Sequence, residues 1–207
     1  MLIVFDLDGT LSDSSAAIVA TFQEACSLLG QPEPRPGPIE ARIGLPLVRM
    51  FRELAPGGDP HALTEAYKAA YIPHDNRLTR VYPGIPELLD QLDATLAIAT
   101  SKTTLGAERS VTRAGLRHHF DVVLGFDAVA NPKPAPDMLL EAMRRTGSSP
   151  GRTLMVGDTT FDLEMADAAG VRGVGVAWGS HGREGLDRWP VAEDPSELAG
   201  LLAAAAR

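Results

Sequence analysis

Apolar positions along the chain fall into two periods. Short apolar runs at Leu2–Phe5 (LIVF), 95–100 (TLAIAT), 121–125 (DVVLG), 153–158 (TLMVGD) and 171–178 (VRGVGVAW) are too brief for helices, and this predicts buried strands. Between them, 84–92 (GIPELLDQL), 107–116 (AERSVTRAGL), 137–147 (DMLLEAMRRTG) and 163–170 (LEMADAAG) carry the three- and four-residue spacing of helices. Strands that are apolar on both faces and alternate with helices imply a parallel sheet covered on both sides, wound by right-handed crossovers. The predicted fold class is α/β, a Rossmann-like doubly wound parallel sheet.

The alternation stops from about Ser14 to Arg80. Helical patterns at 16–30, 47–55 and 60–71 follow one another there with no convincing strand. The Pro-rich stretch Pro32 to Pro38 (PEPRPGP) reads as a loop, and the Ala-rich end of the chain as a helix tail. The helical stretch leaves the body just after the first strand and rejoins it before VYPG. It is therefore expected to be an inserted helical cap, residues 15–79, on an α/β catalytic core of residues 1–14 and 80–207. Hinges are expected near Ser12 to Ser15 and near Thr79 to Pro83.

Bulk properties narrow the partners. A chain of 207 residues suits one domain carrying an insertion. A formal charge of -8 argues against a nucleic-acid surface, which needs clustered Lys and Arg. The one cysteine, Cys26, has no internal disulfide partner and sits in a helical pattern, where it reads as a small buried hydrophobe in a reducing compartment. No run approaches the length needed to span a bilayer, and the first apolar run lacks the basic leader of a secretory signal. A cytoplasmic protein without a membrane partner is expected. The five histidines are scattered without ligand-like spacing, and Met138, Met143 and Met165 fall on helical patterns as core filling.

Ligands of open α/β sheets bind beyond the carboxyl ends of the strands, so the residues that follow each strand carry the chemistry. Asp6 and Asp8 follow the first strand, and Thr100, Ser101 and Lys102 end the second. Lys133 lies in NPKPAP after the third, and Asp158, then Asp162 one helical turn on, follow the fourth. Crowded carboxylates raise one another's pKa unless a cation offsets their repulsion, and an oxygen-only cluster suits Mg²⁺ far better than zinc. The hydroxyl and the lysine supply donors to an anionic oxygen group beside the metal. Metal, donors and a spare carboxylate point to phosphoryl transfer.

The sequences DLDGT, ATSK, NPKPAP and GDTTFD, in this order at the ends of successive strands, resemble the four motifs of the haloacid dehalogenase superfamily of phosphohydrolases. The details are closest to its phosphoglycolate phosphatase-like branch, and the insertion resembles that superfamily's helical cap. The resemblance implies a nucleophile at Asp6 that forms an aspartyl phosphate, and a general acid and base at Asp8, whose backbone carbonyl also binds Mg²⁺. It implies metal binding by Asp6, Asp8 and Asp158, with Asp162 an additional ligand or an orienting carboxylate. Thr100 and Lys133 would hold phosphoryl oxygens, Gly9 would admit the phosphate to close backbone approach, and Thr10 would bond within its turn.

Departures from the pattern bear on the substrate. Many relatives place Asn where this chain has Ser101, so a contact made by that amide is shortened or lost. Leu47 stands where sugar phosphomutases of the superfamily often carry Arg, so no second phosphate site is expected. Asp8 and Asp158 argue against dehalogenation, whose enzymes lack the second Asp of the first motif and the metal. Arg42 and Arg49 flank the IGLPL loop and are candidates to meet a substrate carboxylate. The expected function is a Mg²⁺-dependent phosphatase for a small phosphorylated metabolite, 2-phosphoglycolate first. The alternatives are a non-catalytic module that binds a phosphorylated ligand, or a pyrophosphatase on the same fold.

Overall fold

The computed structural model describes residues 1–205. In chain order its elements are β1 (Leu2–Phe5), β2 (Ser12–Asp13), α1 (Ser15–Leu28), α2 (Pro36–Glu40), α3 (Leu47–Leu54), α4 (Pro60–Leu78), β3 (Arg80–Val81), α5 (Ile85–Gln91) and β4 (Thr95–Thr100). There follow α6 (Thr104–Arg113), β5 (Val122–Gly125), α7 (Asp137–Thr146), β6 (Thr153–Gly157), α8 (Thr160–Ala168), β7 (Arg172–Val176), α9 (Gly182–Gly185), β8 (Val191–Ala192) and α10 (Pro195–Ala205).

Six strands form one parallel sheet in the order β5-β4-β1-β6-β7-β8, the doubly wound arrangement expected from the alternation. Leu2 of β1 lies opposite Thr95 on one side and Thr153 on the other. The chain builds outward from β1 through β4 and β5, then crosses back to β6 and builds the other way. Strand order therefore reverses at β1, and the crevice at its carboxyl end is the place where such sheets bind ligands.

Alternate residues of β1 point to opposite faces, and both faces are dry. Ile3 and Phe5 pack with Leu88 and Leu89 of α5, Val111 of α6 and Leu198 of α10. Leu2 and Val4 pack with Leu139 and Met143 of α7 and Met165 of α8. Burial on both faces is why these strands are apolar throughout rather than alternating.

A third cluster lies within α1 to α4, where Phe22 stacks on Phe51 with ring centroids 4.0 Å apart and Tyr67 meets Phe51 edge-on. Cys26 is wholly buried in it. Phe161, at the start of α8, packs against this cluster from the side of the sheet.

The structure corrects the sequence reading at several places. Ser12 pairs antiparallel with Val81 and Asp13 with Arg80, forming a two-stranded ribbon too short to show any periodicity. The Pro-rich loop yields to α2 from Pro36 onward, because proline at a first helical position gives up an N–H the helix does not use. The third helical pattern, at α4, continues past Tyr71 to Leu78 through Pro73. The cost of that proline is offset by an anchored last turn: the Asp75 carboxylate accepts from the Tyr71 and Thr79 hydroxyls and pairs with Arg113 at 2.8 Å. The short β8 and α9 carry too little pattern to be read.

The stacked pair sets the stability of the helical segment. Phe22→Ala is expected to cost about 3–5 kcal/mol of unfolding free energy, measured by urea denaturation. A loss under about 1 kcal/mol would mean that neighbouring side chains collapse into the space and that the stack does not hold the segment together.

Candidate active site

The first aspartate is placed by the sheet itself. The Asp6 N–H donates to the Val156 carbonyl at 2.8 Å, extending the β1–β6 ladder by one residue, so its side chain emerges at the strand's carboxyl end while remaining 4% exposed. Lys133, in the loop after β5, donates from Nζ to Asp6 Oδ1 at 2.7 Å and to Asp162 Oδ1 at 2.5 Å. Asp6 Oδ2 accepts no protein hydrogen bond among the described residues.

Asp158 and Asp162 are placed by the turn from β6 into α8. Thr159 and Asp162 form a capping box, in which the Thr159 N–H and hydroxyl both donate to Asp162 Oδ2, at 3.1 and 2.7 Å. Asp162 is thus both the acid that starts α8 and a member of the buried cluster. Asp158 is fully buried and accepts from the Thr10 hydroxyl at 3.0 Å and from the Ser180 N–H at 2.7 Å. Glycines wall it on two sides. A Cβ on Gly9, whose φ is +86°, would lie 2.1 Å from Asp158 Oδ2, and one on Gly179 would lie 2.2 Å from Asp158 Cβ.

Three carboxylates cluster here, and one ammonium, Lys133, pairs with two of them, Asp6 and Asp162. Oxygens of Asp6, Asp158 and Asp162 all lie within 4.8 Å of one another. Burial pushes Asp6 well above the usual carboxylate range, Asp162 and Asp158 add to the rise, and Lys133 opposes it. Burial, then the Asp162 charge, pushes Asp158 up to about 7. Burial works against the charge of Lys133 too, but Asp162 and Asp6 outweigh it and hold the ammonium above the ordinary lysine range. The protein leaves this pocket short of positive charge and offers oxygen ligands alone, which is the donor set of a hard divalent cation such as Mg²⁺.

Asp8 is held apart from that cluster. Its Oδ1 accepts from the Ser14 hydroxyl at 2.6 Å and its Oδ2 from Lys102 Nζ at 2.5 Å. The Lys102 ammonium stands 4.8 Å from the centre of the Tyr71 ring, on α4. Burial lowers the affinity of Lys102 for its proton, but Asp8, joined by Tyr67 and Asp75, outweighs it, so the group stays above its ordinary value. Thr100 is buried with its hydroxyl accepting the Lys102 N–H at 3.3 Å. The Ser101 hydroxyl donates to the Gly44 carbonyl at 2.5 Å, so this residue reaches the helical segment.

Arg42 and Arg49 are not brought to the carboxylate cluster. Both donate from Nε to Glu53, at 2.8 and 3.0 Å, and these bonds hold Glu53 below its ordinary pKa. Lys102, Ser14 and Ser180 contact the candidate carboxylates although the sequence assigned them no role. For Lys102 a signal was present, since it directly follows the strand-end Thr100 and Ser101. Asp90, His118 and His119 also come together, on the surface, although the spacing of the histidines in sequence does not suggest it.

Two cavities flank the site. One, of about 240 Å³, is bordered by Asp8, Ser12, Asp75, Thr79, Arg80 and Arg113. The other, of about 270 Å³, is bordered by Gly9, Asp13, Ser14, Glu40, Tyr82 and Trp178. Gly9 is the tightest constraint on the cluster. Gly9→Ala is expected to lower stability by about 2–3 kcal/mol in a denaturant titration, because it combines a left-handed backbone with displacement of Asp158. Wild-type stability in that variant would show that Asp158 is free to move aside.

Comparison with known proteins identifies the family of the chain. A family model described as haloacid dehalogenase-like hydrolase matches residues 3–176. The "Probable phosphatase IndB" of Dickeya dadantii is 44% identical over 87% of this chain and 82% of its own length. A "Tyrosine-protein kinase PtkA" of Mycobacterium tuberculosis is 32% identical over 90% of this chain, which spans 65% of that relative. A "Phosphoglycolate phosphatase" of Pseudomonas putida is 32% identical over 88% of this chain and 71% of its own. The solved structure of a haloacid dehalogenase-like family hydrolase from Streptococcus pneumoniae superposes with a TM-score of 0.87 at 28% identity, covering 97% of both chains. With its four motifs at the ends of β1, β4, β5 and β6, the chain belongs to the haloacid dehalogenase-like hydrolases, alongside relatives named as phosphatases.

Proposed function

We propose that this hydrolase is a Mg²⁺-dependent phosphatase that cleaves a small phosphomonoester through an aspartyl phosphate, with 2-phosphoglycolate the first candidate substrate. The observation that carries the reading is the division of labour between the two N-terminal aspartates. Asp6 is buried with Oδ1 pinned by Lys133 and Oδ2 accepting no protein hydrogen bond among the described residues, while Asp8 is held separately by Ser14 and Lys102. Water is the favoured acceptor over a protein tyrosine, because the chain matches the phosphatase relative over most of both lengths but spans 65% of the kinase.

In this reading Asp6 Oδ2 bonds to phosphorus as the ester P–O bond breaks, and Asp8 gives its proton to the departing oxygen. Water then attacks phosphorus, Asp8 takes back a proton, and the bond from phosphorus to Oδ2 breaks, restoring the Asp6 carboxylate. Lys133 and the Thr100 hydroxyl hold phosphoryl oxygens, and Lys133 offsets the charge of Asp6. Asp6, Asp158, the Asp8 backbone carbonyl and Asp162, as ligand or orienting group, would hold Mg²⁺. When bound, the metal neutralises charge on the phosphoryl oxygens.

Residues 15–79 serve as a cap that excludes bulk water from the reacting group. Contacts of Gly44 with Ser101, and of Phe161 with the helical cluster, support that placement. No helix of the described residues is long and apolar enough to cross a membrane, and buried, unpaired Cys26 suits the reducing cytoplasm.

Turnover of an activated aryl phosphate and of 2-phosphoglycolate, with Mg²⁺ and then with excess chelator, tests the reading. Activity is expected with the metal and none in chelator. Asp6→Asn should lower kcat at least about a thousandfold. Asp8→Ala should cost an alkyl ester more than the aryl ester, by about tenfold or more, because only the poorer leaving group needs the proton. Full activity in chelator would refute the metal. Phosphate-ester binding without turnover would favour the non-catalytic module, and preference for pyrophosphate would favour the alternative enzyme.

Stability reports on the same carboxylates. Between its ordinary value of 3.8 and about 7, Asp158 keeps a proton in the folded chain that the unfolded chain has released. Its contribution is therefore fully present below about pH 4 and is lost as the pH rises toward 7. Mg²⁺ competes with that proton, so the rise in Tm on adding MgCl₂ should grow from about pH 5 to about pH 8. A metal increment that does not change with pH would remove Asp158 from the ligand set.

A further inference from the structure

If Asp8 serves the leaving oxygen, as the proposed function has it, then whatever touches Asp8 lies beside the leaving group. Ser14 and Lys102 are those residues, and of the two Lys102 carries a charge. Its side chain is 14% exposed, and its ammonium has three donors, yet among the described residues Asp8 Oδ2 is the one side chain it bonds. The Tyr71 ring covers another flank of the ammonium without consuming a donor. Lys102 thus retains hydrogen-bonding capacity on the leaving-group side of the site.

The surrounding charges give that capacity a direction. The cavity bordered by Gly9 presents Asp13 and Glu40 and no cation, so it repels an anionic leaving group. Arg42 and Arg49 are committed to Glu53, and Arg113 to Asp75 at 2.8 Å. Lys133 bonds Asp6 and Asp162, and its remaining donor belongs to the phosphoryl group in the proposed function. The Asp8 side, by contrast, opens on the cavity of about 240 Å³, whose border also carries Arg113 and Arg80, the latter bonded to the Thr79 carbonyl.

We propose that Lys102 determines leaving-group specificity by binding a carboxylate carried on the carbon next to the ester oxygen, with Tyr71 holding the ammonium in place. The competing account is that the Lys102–Asp8 pair only positions Asp8. Positioning would affect every ester alike, whereas binding of a carboxylate would affect only esters that carry one.

The experiment compares 2-phosphoglycolate with 2-hydroxyethyl phosphate, which has a neutral hydroxymethyl group in place of the carboxylate. The wild-type protein should favour 2-phosphoglycolate in kcat/KM by at least about tenfold. Lys102→Met, which keeps an apolar stem over Tyr71 but removes the charge, should lower that ratio by about tenfold, mainly through KM for the carboxylate ester, and Lys102→Arg should restore part of it. A wild-type ratio near one, or an equal fall for both esters in Lys102→Met, would overturn the proposal.

Calorimetric titration of Asp6→Asn, and of Asp6→Asn combined with Lys102→Met, with the two esters provides a readout that does not need turnover. Asp6→Asn is expected to bind 2-phosphoglycolate about tenfold more tightly than 2-hydroxyethyl phosphate and the double variant to lose that preference, and equal affinities in Asp6→Asn, or a preference kept by the double variant, would overturn the proposal. Failure to turn over the aryl phosphate counts against the phosphatase reading, while this titration still decides the role of Lys102.

Discussion

The structure is organised around one electrostatic debt: three clustered, buried carboxylates, Asp6, Asp158 and Asp162, of which the Lys133 ammonium pairs with Asp6 and Asp162. Burying charge is costly unless it is paired, and here the protein pairs only part of it. Local features of the fold keep this arrangement from relaxing. The β1–β6 ladder fixes Asp6, the capping box fixes Asp162, and Thr10 and the Ser180 N–H fix Asp158 between two glycines. Each constraint comes from a different element, so the carboxylates cannot separate without disturbing the end of the sheet.

That division explains what could be read from the sequence. Asp6, Asp8 and Asp158 stand directly after apolar runs whose period identifies them as strands, so both their location and their company follow from the chain order of an α/β sheet. Asp162 was legible for two reasons at once, as a helix-starting acid and as a cluster member, and the capping box shows that one carboxylate serves both. The Arg49–Glu53 pair lies at helical i, i+4 spacing and was open to prediction. The Arg42–Glu53 pair depends on how the loop before α3 folds back, which no periodicity records.

The contacts of Lys102 were hidden for the same reason. Its motif names its neighbours on β4, but its surroundings are set by Tyr71, near the end of a helix that continues through Pro73 against the usual reading of proline. The two-residue strands β2 and β3 were likewise illegible because pairing, and not pattern, defines them. In each case the missing information is tertiary: a contact between the sheet and the helical segment, made by residues whose own sequence context gives no hint of the partner.

The ribbon formed by β2 and β3 has a consequence for how such a chain can change. Both ends of the helical segment are hydrogen-bonded to each other, Ser12 beside Val81 and Asp13 beside Arg80, and Tyr82 continues the contact by donating to the Leu11 carbonyl at 3.1 Å. The body therefore sees the whole segment as a loop whose ends are already joined, and the entropy of closing a loop grows only with the logarithm of its length. Helices of another number or size can be carried between the same two anchor points at little cost to the sheet beneath. The catalytic floor and the chamber above it are free to evolve at different rates, with new chambers grafted onto an unaltered set of carboxylates.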